Sequence, residues 1–251
     1  MTHASKLFEA LQRQAREDPN VLALWLGGSR GKGLVTAHSD YDCVLIVTDE
    51  AYAEYRDRWP ARDRSGLDLQ IMTLGQFEAA SRWGQSDAWD AYSYAYVVPL
   101  VDKTGRIAGM MRDKARVPDA EVAPFISACL DHFTNQIYRA LKCRRDGDPI
   151  AARLEAAEAV APLLNAVFAL NGGRLRPYYK YLAWELNNHP LDRAPWTADD
   201  LPTQMAALSV GDDNTCREVF VVAERFFRLA GFGAVFDAWG DALDWMLGER
   251  S

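Results

Sequence analysis

Residues 26–33 read LGGSRGKG, and residues 39–47 read SDYDCVLIV. The pattern predicts a strand, a glycine-rich turn, a short helix and then a second, apolar strand that opens with two carboxylates. A Gly-Ser turn beside the start of a helix can hold a phosphate group on its backbone N–H groups. Asp40 and Asp42 are two residues apart, so on a strand they would point to the same face and grip hard cations. Nucleotidyl transfer requires a phosphate-binding turn and paired magnesium ligands close to each other.

The composition is that of an ordinary globular protein. Of its 251 residues, 49% are hydrophobic and 25% are charged, and this length allows two modest domains. The net charge of −7 argues against a long nucleic acid as partner, because phosphate backbones need a basic surface. The same charge favours a small cationic substrate, which an acidic cleft attracts. The four cysteines lie far apart without a C-x-x-C pair, which indicates neither a zinc site nor a disulfide framework.

The sequence gives no sign of membrane targeting. No apolar run is long enough to span a bilayer, and the N-terminal segment is polar and amphipathic without a hydrophobic signal core. We therefore expect no membrane contact and a cytoplasmic location.

Strand and helix patterns alternate in the first part of the chain and then give way to helices alone. Helical patterns separate four predicted strands, over residues 21–26, 41–47, 67–72 and 94–101. This alternation is typical of a small α/β domain, which we place at residues 1–117. Residues 118–251 are predicted to form an all-α helical bundle. Its helices are expected over 121–145, 150–170, 178–187, 199–208, 213–230 and 234–247.

The glycine-rich turn supplies the predicted nucleotide ligands. Gly28 and Ser29 are expected to hold the β- and γ-phosphates through backbone N–H groups and the serine hydroxyl, since glycine lets the chain approach an anion without a clash from Cβ. Arg30 and Lys32 either add positive charge for the nucleotide or face solvent. In nucleotidyl transfer a hydroxyl attacks the α-phosphorus of a nucleoside triphosphate and displaces pyrophosphate. Because phosphoryl oxygens carry the charge, we expect two Mg²⁺ ions to neutralise it.

Asp68 is the candidate for a third carboxylate. Apolar and polar residues alternate in the segment 67–72 (LDLQIM), so Asp68 and Gln70 share one face of a strand. We expect this face to be the one that carries Asp40 and Asp42. Asp68 is then a third metal ligand, the base that takes a proton from the acceptor hydroxyl, or a solvated strand residue.

A basic and aromatic segment stands out in the predicted bundle, where residues 174–181 read RLRPYYKY. Interleaved cations and rings at the start of a helix suit a triphosphate tail or a stacked base. Lys180 is the expected phosphate contact. The alternative is a solvated lysine beside tyrosines that pack between helices.

The order Gly28-Ser29, a ten-residue gap and Asp40-x-Asp42 entering a hydrophobic strand resembles the signature of the polymerase-beta-like nucleotidyltransferase superfamily. Within that superfamily the motif is similar to those of the small aminoglycoside and minimal nucleotidyltransferases. The resemblance implies magnesium-dependent transfer, usually of AMP from ATP. It also implies a small mixed sheet flanked by helices, with an appended helical bundle that completes the cleft for acceptor and nucleotide. Most relatives carry alanine where this chain has Gly31, a difference that we expect to cost no space.

The relatives differ in the source of the catalytic base. Streptomycin-type adenylyltransferases resemble this arrangement but carry glutamate where this chain has Asp68, so the role of the shorter side chain stays open. Kanamycin-type relatives use a glutamate on the first helix of the second domain, where this chain offers Asp131 instead.

These observations lead to one expected function and two alternatives. The expected function is transfer of AMP from ATP to a hydroxyl of a small cationic acceptor, with an aminoglycoside-like antibiotic favoured and antibiotic resistance as the outcome. A homodimer would be able to complete the cleft. The alternatives are a protein-modifying nucleotidyltransferase of a toxin–antitoxin pair and a non-catalytic nucleotide-binding protein.

Overall fold

The structure is a computed structural model that describes residues 2–59 and 66–248. The chain divides into two compact units, Met1–Arg116 and Val117–Ser251. Each unit buries its own set of apolar side chains and is described separately below.

The first unit is built on a four-stranded sheet. Its strands are β1 Val21–Leu26, β2 Tyr41–Val47, β3 Leu67–Thr73 and β4 Val101–Asp102. They lie in the order β3-β2-β1-β4. Strand β1 is antiparallel to β2 and β4, whereas β2 and β3 are parallel. The sheet is therefore mixed, and the predicted fold class of the N-terminal region is confirmed.

Helices cover both faces of this sheet. The α-helices in the described part of the first unit are α1 His3–Glu17, α2 Gly28–Gly31, α3 Tyr52–Arg58, α4 Leu74–Ala79 and α5 Ile107–Lys114. Because side chains alternate along a strand, Leu45 packs on one face with Leu11 of α1 and Tyr55 of α3. Ile46 packs on the opposite face with Phe77 of α4. Asp42 has the parity of Ile46, so it belongs to the second face.

The predicted strand over residues 94–101 is wrong. A 3₁₀-helix spans Ala88–Tyr94, and only Val101–Asp102 pairs with the sheet. Pro99 has no N–H for a strand ladder, and Tyr96 adopts a left-handed backbone with φ 61°, so this segment cannot continue as a strand. Apolar side chains of the segment fill the core on the second face of the sheet without strand pairing.

The helices of the second unit are joined by loops, and no strand of the sheet comes from its described residues, which confirms the all-α prediction. Its α-helices are α6 Asp119–Arg145, α7 Pro149–Ala169, α8 Leu182–Asn188, α9 Asp200–Leu208, α10 Asp213–Phe227, α11 Gly233–Asp237 and α12 Asp241–Leu247. The predicted helix 213–230 continues beyond α10 as a π-helical turn, Arg228–Phe232, and the predicted break is found at Gly231, which has φ 98°. The predicted helix 234–247 is divided at Gly240, which has φ 50°.

A group of aromatic side chains packs together in the core of the second unit. The ring of Phe220 on α10 stacks on Phe133 of α6 at a centroid distance of 6.0 Å and meets Phe236 of α11 edge-on at 6.2 Å. All three side chains are fully buried. None of the helices in the described residues combines the length and apolar character needed to cross a bilayer.

Candidate functional site

Strand β1 leads directly into the glycine-rich turn. The N–H of Gly27 donates to the carbonyl of Asp42 at 2.7 Å, which extends the pairing of β1 with β2 by one residue. The chain then closes the single helical turn α2, in which the Gly31 N–H donates to the Gly27 carbonyl at 2.7 Å. N–H groups ahead of the first internal bond of a helix have no partner within it. The turn can therefore present the N–H groups of residues 28–30 to an anion.

Gly28 brings the turn into direct contact with the first carboxylate of the site. Its φ of +55° lies in the left-handed region, and a Cβ at this position would lie 1.8 Å from Oδ2 of Asp42. Both the backbone conformation and the available space therefore require glycine. The turn and the half-buried Asp42 carboxylate form one continuous surface, as a site for a metal-bound phosphate needs.

Gly31 also has a steric requirement. A Cβ at Gly31 would lie 2.2 Å from the carbonyl oxygen of Leu26 and 2.9 Å from its carbonyl carbon. Glycine in place of the relatives' alanine thus costs no space, as expected, whereas an alanine would not fit this backbone without a shift. The missing methyl group lets the turn close directly onto the last residue of β1.

Asp42 and Asp68 occupy opposite positions on neighbouring strands. They are register partners across the parallel pair β2–β3, and adjacent strands lie about 4.8 Å apart. Partners in register share a face, so both half-buried carboxylates belong to the same side of the sheet. Like charges directly opposite each other destabilise a strand pair. A cation bound between the two carboxylates would remove this repulsion.

Asp40 lies outside the strand on which the sequence placed it. Strand β2 begins at Tyr41, whose N–H donates to the carbonyl of Gly66 at 2.9 Å, and Asp40 precedes it as an exposed residue. The preceding residue, Ser39, belongs to a turn in which its N–H donates to the Thr36 carbonyl at 3.2 Å. Asp40 is therefore held between a turn and a strand rather than by sheet pairing of its own.

The carboxylates fit a magnesium ion that protein and substrate share. Within residues 2–59 and 66–248, no group of three or more His, Cys, Asp or Glu side chains is assembled to hold a metal ion. The predicted trio of Asp40, Asp42 and Asp68 is thus not a closed protein site. Mg²⁺ usually binds through one or two carboxylates together with substrate phosphates and water. Asp42 and Asp68 supply such a pair, and the turn at Gly28 lies against it.

Ser29 and Arg30, two of the predicted nucleotide ligands, are bound to Ser39. The Ser29 hydroxyl donates to Ser39 Oγ at 3.0 Å. Arg30 donates from Nε at 3.1 Å and from Nη2 at 2.8 Å to the Ser39 carbonyl. The N–H of Thr36 also donates to Ser39 Oγ, at 2.9 Å. Ser39 therefore joins the glycine-rich turn to the acidic segment, a role that the sequence signals only by its position directly before Asp40.

Lys32 is directed into the first unit and away from solvent. Only 7% of its surface is exposed. Its ammonium group donates to the carbonyl of Ala95 and lies 4.7 Å from the ring centroid of Tyr92 and 5.8 Å from that of Tyr96. Burying a lysine requires such partners, because an uncompensated charge in a low dielectric is strongly unfavourable. Lys32 thus ties the turn to the segment that follows the 3₁₀-helix.

Cys43 is placed beside the carboxylates but does not act with them. Its side chain is buried in the core on the face opposite to Asp42. Burial, together with the negative charges of Asp42 and Asp68, raises the pKa of the Cys43 thiol to about 12. The thiol therefore stays protonated at neutral pH and is neither a nucleophile nor a thiolate ligand.

Two further candidates lie in the second unit. Lys180 is exposed, and its Nζ lies 4.7 Å from the ring centroid of the buried Tyr181. The guanidinium of Arg176 lies 4.9 Å from the ring centroid of Tyr179. Lys180 stays a predicted phosphate contact. Asp131, the alternative base, accepts a hydrogen bond from the indole N–H of Trp239 at 3.1 Å.

One family model covers the candidate site. No curated protein matches the sequence. A solved structure of a nucleotidyltransferase-like protein from Exiguobacterium sibiricum 255-15 is similar, with 12% identity and a TM-score of 0.42, over 99% of this chain and 80% of that chain. Residues 5–86 match the model of the family described as nucleotidyltransferase domain. This range includes the glycine-rich turn and all three candidate carboxylates. This part of the chain is therefore similar to a nucleotidyltransferase domain.

Proposed function

We propose that the protein is a magnesium-dependent nucleotidyltransferase that moves AMP from ATP to a hydroxyl of a small cationic molecule, with an aminoglycoside-like antibiotic as the favoured acceptor. The observation that carries the proposal is the contact between Gly28 and Asp42, with Asp68 in register beside it. It puts the glycine-rich turn and two carboxylates on one surface, which supports a role in holding a metal-bound phosphate. The family match of residues 5–86 supports the same chemistry.

Each residue of this surface has a distinct task. Asp42 and Asp68 would hold the metal, with Asp40 as a further oxygen ligand, and the metal would neutralise charge on the phosphates and orient them. The turn at Gly28 would hold the triphosphate tail on backbone N–H groups. When a nucleotide binds, the Ser29 hydroxyl would donate its hydrogen bond to a phosphate oxygen instead of to Ser39 Oγ. Asp68 would serve as metal ligand or as the base that takes the acceptor proton.

The charge of the protein supports a cationic acceptor. The net charge is −7, and an acidic surface raises the local concentration of small cations while it repels nucleic-acid backbones. An acceptor with several hydroxyls and amines combines the nucleophile with the favoured charge. Aminoglycosides are compounds of this kind, which is why we place them first.

A pyrophosphate-release screen tests the proposal. Purified protein is incubated with Mg²⁺, each of the four nucleoside triphosphates in turn, and a panel of hydroxyl-bearing antibiotics that includes aminoglycosides. We expect release that requires ATP, Mg²⁺ and a cationic acceptor. Asp42→Asn should abolish it, because one charge is lost without a change of shape. Asp49→Asn, an exposed aspartate beyond the other end of β2, is the matched control and should retain it.

Two outcomes would contradict the proposal. Tight ATP binding without pyrophosphate release for any acceptor would indicate a nucleotide-binding protein without transferase activity. Label from radiolabelled ATP on a protein band of a cell lysate, with none on small molecules, would indicate a protein-modifying enzyme.

A further inference from the structure

The guanidinium group of Arg30 makes hydrogen bonds along one edge and contacts an aromatic ring with one face. Its Nε and Nη2 both donate to the Ser39 carbonyl, at 3.1 and 2.8 Å. Its plane lies over the ring of Tyr41 at 4.1 Å from the centroid, and Phe8 packs on that ring at 4.8 Å. The Nε/Nη2 edge is one of the two-donor forks with which arginine binds carboxylates and phosphates. In Arg30 this fork is already occupied by the backbone.

Hydrogen bonds restrain the peptide units on both sides of Asp40, and Arg30 makes those on the first side. The Ser39 carbonyl belongs to the peptide unit that joins Ser39 to Asp40, and a peptide unit is planar, so two donors on its oxygen restrain the whole unit. The next peptide unit, between Asp40 and Tyr41, is held by the hydrogen bond from the Tyr41 N–H to Gly66. Asp40 itself is exposed and outside the strand. The backbone at Asp40 is therefore restrained by Arg30 on one side and by the hydrogen bond to Gly66 on the other.

We propose that Arg30 is a positioning residue, which acts by directing the Asp40 carboxylate toward the metal rather than by contacting the nucleotide. This inference rests on the proposed function, since it presumes a metal-bound nucleotide at Asp42 and Asp68. In this interpretation, Arg30 and Lys32 each hold a different part of the site in place. Arg30 holds the acidic segment through Ser39, and Lys32 holds the turn through Ala95.

A double-mutant cycle on Arg30 and Asp40 tests the inference by binding alone. Calorimetry measures the affinity for a non-hydrolysable ATP analogue with Mg²⁺ and with a chelator, for the wild type, Arg30→Lys, Asp40→Asn and the double variant. Mn²⁺ binding in the presence of the analogue, followed by electron paramagnetic resonance, gives a direct metal readout. Lysine keeps the charge but cannot donate through two coplanar N–H groups. Substitution of groups that orient metal ligands typically lowers metal affinity about 10–100-fold.

We expect Arg30→Lys to weaken Mn²⁺ binding and the Mg²⁺-dependent affinity by about tenfold, with no change when the chelator is present. In the Asp40→Asn background the same substitution should have little further effect, because the residue through which it acts has lost its charge. Exchange of the backbone amides of residues 38–41 with deuterium should be faster in Arg30→Lys. Arg16→Lys on α1, also an exchange of arginine for lysine, is the control and should match the wild type.

Equal losses with and without metal, or losses that multiply in the double variant, would overturn the inference and make Arg30 a direct phosphate ligand. Arg30→Gln provides a second variant if Arg30→Lys does not fold, and it is read by the same cycle. The proposed function is judged separately, on the wild type. If Mg²⁺ does not strengthen nucleotide binding to the wild type, the function fails; if it does and the cycle is additive, only the role of Arg30 fails.

Discussion

Gly28 and Asp42 are so close that a side chain at the first would occupy the position of the carboxylate of the second. The 1.8 Å between a Cβ at Gly28 and Oδ2 of Asp42 is less than any non-bonded contact. The glycine-rich turn and the proposed metal ligand therefore cannot vary independently. A change at either residue is expected to alter both parts of the proposed site.

Gly28→Ala tests this coupling. The left-handed backbone alone costs about 1–2 kcal/mol for a residue with a Cβ, and the displaced Asp42 carboxylate should in addition abolish Mg²⁺-dependent ATP binding. Gly105→Ala is the matched control, since Gly105 has φ +68° and open space around its Cβ position. We expect both variants to lose stability in urea titrations and only Gly28→Ala to lose ATP binding by calorimetry. If Gly28→Ala still binds ATP, the position of the Asp42 carboxylate does not depend on the glycine at residue 28.

Gly31→Ala tests the steric requirement at this end of the glycine-rich turn. Alanine is a better helix former than glycine by about 1 kcal/mol, so without a clash the variant would be more stable. The Leu26 carbonyl at 2.2 Å predicts the opposite, a loss of about 1–3 kcal/mol from overpacking. Gly75→Ala on α4 is the control, because its nearest neighbour would be Thr73 Oγ1 at 3.9 Å. Urea unfolding of the two variants measures whether the free energy of unfolding rises or falls.

Asp68→Asn distinguishes metal ligand from base. The register of Asp68 with Asp42 favours the metal role, so we expect the variant to weaken Mg²⁺-dependent nucleotide binding by a factor similar to that of Asp42→Asn. Calorimetry measures the affinity, and initial rates give kcat and KM separately. If nucleotide affinity is unchanged and only kcat falls, Asp68 is the base instead.

Asp18 and Tyr55 predict a pH dependence of stability. A hydrogen bond from the Tyr55 hydroxyl lowers the pKa of Asp18 below its ordinary value, and a backbone N–H from Asn20 adds to it. A lowered folded-state pKa stabilises the protein above the ordinary carboxyl range, and this contribution is lost as pH falls through the folded pKa. The free energy of unfolding should therefore differ most between the wild type and Tyr55→Phe at neutral pH.

The difference should shrink as the pH is lowered below about 4, where the carboxyl is protonated in the unfolded chain. Urea titrations between pH 2.5 and 7 measure it. Tyr179→Phe is the control, because Tyr179 is 57% exposed, and its effect should not depend on pH. A constant difference for Tyr55→Phe across this range would show that the hydrogen bond does not act through Asp18.

The parts of the fold that the sequence predicted are those set by local periodicity. The alternation in residues 67–72 predicted β3 and the face of Asp68, because side chains on a strand alternate with a period of two whatever the tertiary context. The segment 94–101 lacks this alternation. Its apolar residues indicate that the segment is buried but do not indicate its secondary structure. Tyr96 and Pro99 make the buried segment irregular.

The side-chain partners in the candidate site were beyond sequence reasoning for a different reason. Lys32 and Ala95 are 63 residues apart, and their contact exists only once the 3₁₀-helix has docked on the sheet. Arg30 binds a backbone carbonyl, which every residue offers, so no residue type marks the acceptor in advance. The space around Gly31 depends in the same way on the main chain of Leu26.

The burial of Lys32 has a consequence for how the protein responds to salt. A cation enclosed by tyrosine rings and a carbonyl contributes a fixed positive field beneath the turn, and mobile ions do not reach it. Surface charges are screened within about 8 Å at physiological ionic strength, whereas buried ones are screened much less. If a triphosphate tail binds at the turn as proposed, its attraction by Lys32 should therefore persist at high ionic strength, while any long-range attraction of a cationic acceptor to the acidic protein should fade.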